Sequence, residues 1–349
     1  RYEVNADRSD LFGEPATLLF NDTLTSSNHL WVSRQDAAGG ASGAGTMQTV
    51  ADQQLPTTLR WSEGVDFTFD STDEHGQGSL EQVVCHGNVE LLDQGNTLTC
   101  STLTVDFEQD SNGNSSPSIA SATGGVKAVS ESQKLWANQA EVTFKNGSID
   151  NEHADSEESM FGGSHADSMF ASGNVQVLLS DGGRAFCENL EGHITQDRAI
   201  LNGNVVIAYE RMLMNRGDEA TLSLNRATGK GNWSGAGQAL FLNELLDVSP
   251  DRRIERPTIK QPTVESEGTS LSMRANWQES MNLDQNFNDG AGAIDLKGNV
   301  QVKSQRSEEE RSQMSGEDLR LEFTQDRAGN KRVLHKTIAK NNAQIEHRT

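Results

Sequence analysis

The stretch Gly87-Asn88-Val89-Glu90-Leu91-Leu92 comes back again and again along this chain. Intact copies stand at Gly173-Asn174-Val175-Gln176-Val177, Gly203-Asn204-Val205-Val206-Ile207 and Gly298-Asn299-Val300-Gln301-Val302, with a variant at Gly124-Gly125-Val126. A second block follows the first: Leu103-Thr104-Val105-Asp106-Phe107 after Gly87, and Ala140-Glu141-Val142-Thr143-Phe144 after Gly124. Gly87 to Gly124 and Leu98 to Leu135 are both steps of 37 positions, so these two cassettes align without a gap. Leu319-Arg320-Leu321-Glu322-Phe323 copies the second block 216 positions on, the same distance that separates Trp61 from Trp277. Recurrence in phase is the mark of a repeat architecture.

Inside each block the period is two. Val89 and Leu91 alternate with Asn88 and Glu90, and Leu103, Val105 and Phe107 with Thr102, Thr104 and Asp106. Such alternation is that of a strand with one face buried. A one-residue slip would expose every apolar side chain, so register is strongly specified. Gly-Asn is expected to make a turn or bulge at each strand entry, because both residues tolerate positive φ. The chain should therefore be all-β, with mostly antiparallel strands and little helix.

Clear repeats start at residue 59, and an N-terminal array is expected over residues 1–248. Residues 37–46, rich in Gly and Ala, read as a flexible loop, and residues 108–118 and 145–168 as polar loops. Glu244–Pro250 reads as a short helical turn. Residues 249–268, with Pro250, Pro257 and Pro262, read as an extended connector. Residues 269–349 carry cassettes of the same repeat, as a second module or a continuation of the array. Ser307–Arg311 reads as a hairpin tip.

The three cysteines read as small buried hydrophobes. Were Leu92 to face Thr97, Val89 would face Cys100 and Cys85 would face Thr104, leaving the two thiols about 13 Å apart at about 3.3 Å per residue. That is too far for a disulfide. His153-Ala154-Asp155-Ser156 recurs as His165-Ala166-Asp167-Ser168, which reads as solvated loop in preference to a metal site. Trp61, Trp136, Trp233 and Trp277 read as core or rim packing. No nucleophile elbow, metalloprotease, phosphate-loop or dinucleotide motif is present, so no catalytic residue, metal or cofactor is expected. A formal net charge of −22 speaks against nucleic acid or an anionic membrane surface as the default partner. No apolar run reaches 18 residues. The chain starts at Arg1 without an initiator Met or signal peptide, and is expected to be mature or excised from something longer.

The cassettes at Gly87, Gly173, Gly203 and Gly298, with the partner blocks at Leu103–Phe107, Ala140–Phe144 and Leu319–Phe323, resemble the OstA-like (organic-solvent-tolerance) family, which includes the periplasmic bridge of lipopolysaccharide transport. The resemblance covers about residues 59–240 and 271–349. It implies a repeat-built β-jellyroll or folded β-taco whose apolar interior groove holds lipid acyl chains. It also implies assembly with itself or with other envelope transport proteins through edge strands, and a periplasmic or outer-membrane-associated location. The groove residues expected on this basis are Val89, Leu91, Leu103, Val105, Phe107, Ala140, Val142, Phe144, Val175, Val177, Val205, Ile207, Val300, Val302, Leu319, Leu321 and Phe323. The competing expectations are a structural or adhesive β-solenoid with a filled core and a polysaccharide-active β-helix enzyme.

Overall fold

The computed structural model describes residues 2–4, 8–20, 23–49, 57–70, 79–93, 95–109, 115–131, 133–146, 164–179, 182–209, 212–215, 221–225, 227–242, 253–257, 271–285, 292–305, 311–325 and 332–348. The chain is antiparallel β almost throughout, and the one helical element among the described residues is a 3-10 turn at Ile194–Gln196. It divides into two compact units, Arg1–Ser172 and Gly173–Thr349.

The first unit carries β1 (Tyr2–Val4), β2 (Arg8–Phe20), β3 (Thr23–Ser33), β4 (Ala38–Thr49), β5 (Thr58–Trp61), β6 (Gly64–Asp70), β7 (Ser79–Asp93), β8 (Asn96–Gln109), β9 (Ser115–Val129) and β10 (Gln133–Asn146). The boundary falls inside β11 (Ser164–Leu179). The second unit continues with β12 (Arg184–His193), β13 (Arg198–Asn202), β14 (Val206–Tyr209), β15 (Met212–Asn215), β16 (Thr221–Asn225), β17 (Lys230–Ser234) and β18 (Gly237–Leu242). It ends with β19 (Leu271–Trp277), β20 (Ser280–Gln285), β21 (Gly292–Gln305), β22 (Arg311–Gln325), β23 (Arg332–Lys340) and β24 (Gln344–Arg348).

Within each unit the chain runs back and forth as a ladder of long rungs, each bent or broken near its middle. Gly-Asn is that bend. In all four copies both residues are left-handed: Gly87, Gly173, Gly203 and Gly298 have φ of 76°, 76°, 73° and 82°, and Asn88, Asn174, Asn204 and Asn299 have φ of 42°, 52°, 47° and 46°. Two consecutive left-handed residues cannot sit in a regular ladder. Gly87-Asn88 oppose the single residue Ser101, and the pairing shifts between His86 and Val89. This differs from the expected strand entry. The lead-in and the Val strand are one rung, bent by a bulge at its centre.

The bends line up from rung to rung. Ser62 N–H donates to the Gly87 carbonyl at 2.7 Å and Gly43 N–H to the Glu63 carbonyl at 2.7 Å. The second unit repeats the device: Gln278 N–H donates to Gly298 O at 2.8 Å and Gly235 N–H to Glu279 O at 2.8 Å. Each unit is thus a sheet folded along a crease into two arms. β4 and β7 each pair with both β5 and β6, which are the two halves of one rung. In the second unit the strands β12, β13, β16, β17, β20, β21, β19, β18, β15 and β14 pair in a closed ring, because four successive rungs are broken at the crease between β12 and β21.

Several loop expectations are corrected. Residues 38–49 are strand β4, not a flexible loop. Their smallness answers to packing: a Cβ on Gly45 would lie 2.4 Å from the Trp61 ring, and one on Gly40 would lie 2.4 Å from the Val65 carbonyl. β8 reaches Gln109, β9 begins at Ser115 and β11 at Ser164, so the polar loops are shorter than they read. Asp167, in the second His-Ala-Asp-Ser copy, pairs with Lys145 at 2.8 Å. The first copy and the expected turn at Glu244–Pro250 lie outside the described residues. The Pro-rich stretch is an insertion within the ladder: β17 pairs with β20 and β18 with β19 across it.

Cys85, Cys100 and Cys187 are free and buried. Leu92 faces Thr97 and Val89 faces Cys100, as the spacing implies, but the bulge places Cys85 opposite Leu103 and not Thr104. Burial pushes the thiols of Cys85 and Cys187 up to about 12, and that of Cys100 to about 11, from 9.0. The unfolded chain therefore loses these protons first, and stability is expected to fall as pH rises above 9 toward those values. Urea midpoints at pH 8 and pH 10 check this. They should drop with pH, and less so when Cys85 and Cys187 are both replaced by Ala.

Candidate functional site

The inward side chains form continuous rows across the rungs. In one arm of the first unit the row nearest the crease is Leu11, Leu30, Ala41, Val65, Cys85, Leu103, Ala122 and Ala140, each paired with the next. The next row outward includes Phe67, Val83, Val105, Ala120 and Val142. The facing arm carries Met47, Leu59, Leu91, Leu98, Ala128 and Leu135. In the second unit the matching row is Leu190, Leu201, Leu222, Trp233, Met281, Leu296 and Leu319. Its other arm carries Ile207, Met214, Ala239, Ala275, Val302 and Met314.

Burial falls with distance from the crease along β6, β8, β21 and β22, whereas β7 stays buried out to Asp93 at 6% exposed. Leu103 is 2% exposed and Val105 5%, while Phe107 is only half-buried. Leu319 and Leu321 are 1% and 2% exposed and Phe323 is half-buried. Val300 is 1% and Val302 9% exposed. The arms therefore meet at the crease and leave an apolar rim farther out. Val89, Leu91, Val175 and Val205 belong to the sealed part; Ala140, Val142, Phe144, Val177 and Ile207 belong to the half-buried part.

Two expectations about these residues change. Val205 is not in a strand; it sits in the break between β13 and β14, fully buried. Around the copies at Gly173 and Gly203, the neighbours on the opposite face are buried as well: Gln176, Leu178, Val206 and Ala208. The cause is a second apolar cluster of Phe186, Val206, Ala208, Leu213 and Leu240, against which Ile254 of the Pro-rich stretch packs. Reading period two with one wet face misses this, because the cover comes from residues some 50 to 80 positions away in sequence. The run Val205-Val206-Ile207-Ala208, apolar on both parities, is the signal that was available.

The tryptophans hold the crease. Trp61 donates its indole N–H to the Gly43 carbonyl at 3.0 Å, and Trp277 to that of Gly235 at 3.1 Å. Trp61, Trp233 and Trp277 are 3%, 0% and 1% exposed, so these rings are packing and no ligand platform. Among the described residues no group of three or more His, Cys, Asp or Glu side chains is placed to hold a metal. No described helix is long and apolar enough to cross a membrane.

No protein-family model matches the chain, and no curated protein matches it.

Proposed function

We propose that the protein is a non-enzymatic lipid carrier of a bacterial envelope, similar in role to the OstA/LptA-like proteins of lipopolysaccharide transport, taking acyl chains into the trough between its sheet arms. The observation that carries this reading is the burial gradient. The rows are sealed at the crease but present half-buried Phe107, Val142, Phe144, Ile207 and Phe323 beyond it. Burying one methylene contributes about 0.8 kcal/mol. A fourteen-carbon chain lying along such rows gains on the order of 10 kcal/mol before ordering costs. Acidic residues such as Glu90, Asp106 and Glu141 lie on the polar parity of their strands and keep the outside wet. Edge strands would serve to bridge copies or other envelope components, in the periplasm or at the outer membrane. Protein purified without detergent, extracted with solvent and analysed by mass spectrometry, is expected to yield fatty acyl chains near one per chain or more; a lipid-free extract overturns the reading.

A second reading has its own observation. The crease rows are filled by the protein's own side chains, with Trp233 and Trp277 edge-on at 6.0 Å. On that reading the folded sheet is a structural element, and the half-buried rim is the ragged edge of a core.

A further inference from the structure

Between the first two long rungs of the first unit the pairing opens. Phe12 faces His29 and Ala16 faces Ser27, so Gly13, Glu14 and Pro15 stand against the single residue Asn28. The bulge leaves a shallow cleft of about 420 Å³, lined by Phe12, Gly13, Glu14 and Asn28. Its side chains are open to water: Phe12 is 39% exposed, and Glu14 and Asn28 are exposed as well. Phe12 has the opposite parity to Leu11 of the trough row, so its ring belongs to the outer face of the sheet.

The Phe12 ring is held in place. His29 stacks on it, with ring centroids 4.4 Å apart and an interplanar angle of 3°. His29 Nε2 donates to Asp10 Oδ1 at 2.8 Å. Arg8 donates to the same carboxylate, from Nε at 3.0 Å and from Nη2 at 3.0 Å, and its guanidinium lies 4.8 Å from the centre of the Trp31 ring. A flat apolar ring that is already ordered lets a ligand lie on it without the cost of freezing the side chain.

The groups beside the ring say what sort of ligand. The Glu14 carboxylate accepts hydrogen bonds, and the Asn28 carboxamide both donates and accepts. A pyranose matches this set: its C–H face lies on an aromatic ring, and its hydroxyls donate and accept around the rim. An oxyanion is opposed by Glu14. A fatty chain would strip water from Glu14 and Asn28 and return no hydrogen bond. An organic cation is best held by several rings, whereas one ring lines this cleft and Asp10 is already engaged with Arg8 and His29.

We propose that this cleft binds a neutral glycan, one pyranose ring lying on Phe12 with hydroxyls donating to Glu14 and exchanging hydrogen bonds with Asn28. A free oligosaccharide and the headgroup of a glycolipid share this chemistry. The proposal does not rest on the lipid reading, because none of the lining residues belongs to the trough rows.

The test is saturation-transfer NMR and titration on the full chain with cellotriose, chitotriose and maltotriose at millimolar concentration, with benzyltrimethylammonium as the cation control. At least one trisaccharide is expected to bind, with saturation strongest on its ring C–H protons. Phe12→Ala should weaken that binding about fivefold or more, and Phe12→Tyr should keep it. Glu14→Gln should weaken it, and Phe107→Glu, in the trough, should leave it unchanged. Sedimentation with phosphatidylcholine vesicles, with and without glucosylceramide, separates the sources: retention that requires the glycolipid and Phe12 assigns a membrane headgroup, and binding of free trisaccharide alone assigns a soluble or wall glycan. Full affinity in both Phe12→Ala and Glu14→Gln overturns the proposal. So does tighter binding of the cation than of any sugar, or a result in which neither a trisaccharide nor the glycolipid binds.

Discussion

Trp277→Ala is expected to destabilise the second unit by about 3–5 kcal/mol, the range for removing a large aromatic from a packed interior. The ring is 1% exposed and meets Trp233 edge-on at 6.0 Å with an interplanar angle of 84°. Its N–H closes the crease by donating to the Gly235 carbonyl at 3.1 Å. Gly237 lies directly beneath it: a Cβ there would stand 2.2 Å from Trp277 Cζ2. Truncation thus leaves a cavity that backbone on one side and Trp233 on the other cannot easily fill, and it strips a carbonyl of its partner. Gly237→Val should be destabilising for the opposite reason, since the new side chain meets the ring and the bent backbone has little room to yield. Urea unfolding of both variants, followed by circular dichroism, checks this. A loss below about 1 kcal/mol in Trp277→Ala would show that the ring fills space without holding the crease.

The same device stands in the first unit, where Trp61 donates to the Gly43 carbonyl and covers Gly45. Its recurrence explains the 216-residue echo between Trp61 and Trp277 in the sequence. Period two and the phased glycines were legible because they arise locally: a pleated strand exposes alternate side chains, and a left-handed pair favours Gly and Asn, as at Gly87-Asn88 and Gly124-Gly125. The reason for the glycines was less legible. They read as a turn or bulge at each strand entry, whereas each is a bulge that bends the middle of one long rung, as the shift from His86 to Val89 shows. Ala38–Thr49 was misread for a physical reason too. A glycine-rich segment is usually loop, but here the missing side chains make room for Trp31 and Trp61. The residues expected in a groove are buried or half-buried. What sequence could not supply was depth: Leu103 and Phe107 look equivalent in the pattern, yet only the first is sealed. Nor could it show that Ile254 covers Phe186 and Val206, since that contact closes a long loop whose partners share no local period.

Depth decides the outcome of placing a charge on the rows. Val89→Glu and Val205→Glu put a carboxyl at positions 1% and 0% exposed, in rows of apolar side chains. An unpaired buried carboxylate costs several kcal/mol, and the group relieves part of that by holding its proton. A folded-state pKa raised above the unfolded value makes the penalty smallest at low pH, growing as pH rises through the ordinary carboxylate range. Both variants should therefore be strongly destabilised at pH 7 and noticeably less so near pH 4.5, judged against the parent at each pH. Phe107→Glu, Ile207→Glu and Phe323→Glu differ in position and not in chemistry. These sites are half-buried, so the new carboxylate can reach water, and the folded protein should survive with a loss of about 1 kcal/mol or so. On the carrier reading they should nevertheless lose most of the bound lipid, because an acyl chain laid along the rim must desolvate the charge. Lipid extracted per mole of folded protein is the measurement. Rim variants that fold and carry as much lipid as the parent would place the lipid elsewhere or nowhere. Rim variants that fail to fold as the crease variants do would show that these rows are core to their outer edge, and the structural reading would then stand in place of the carrier.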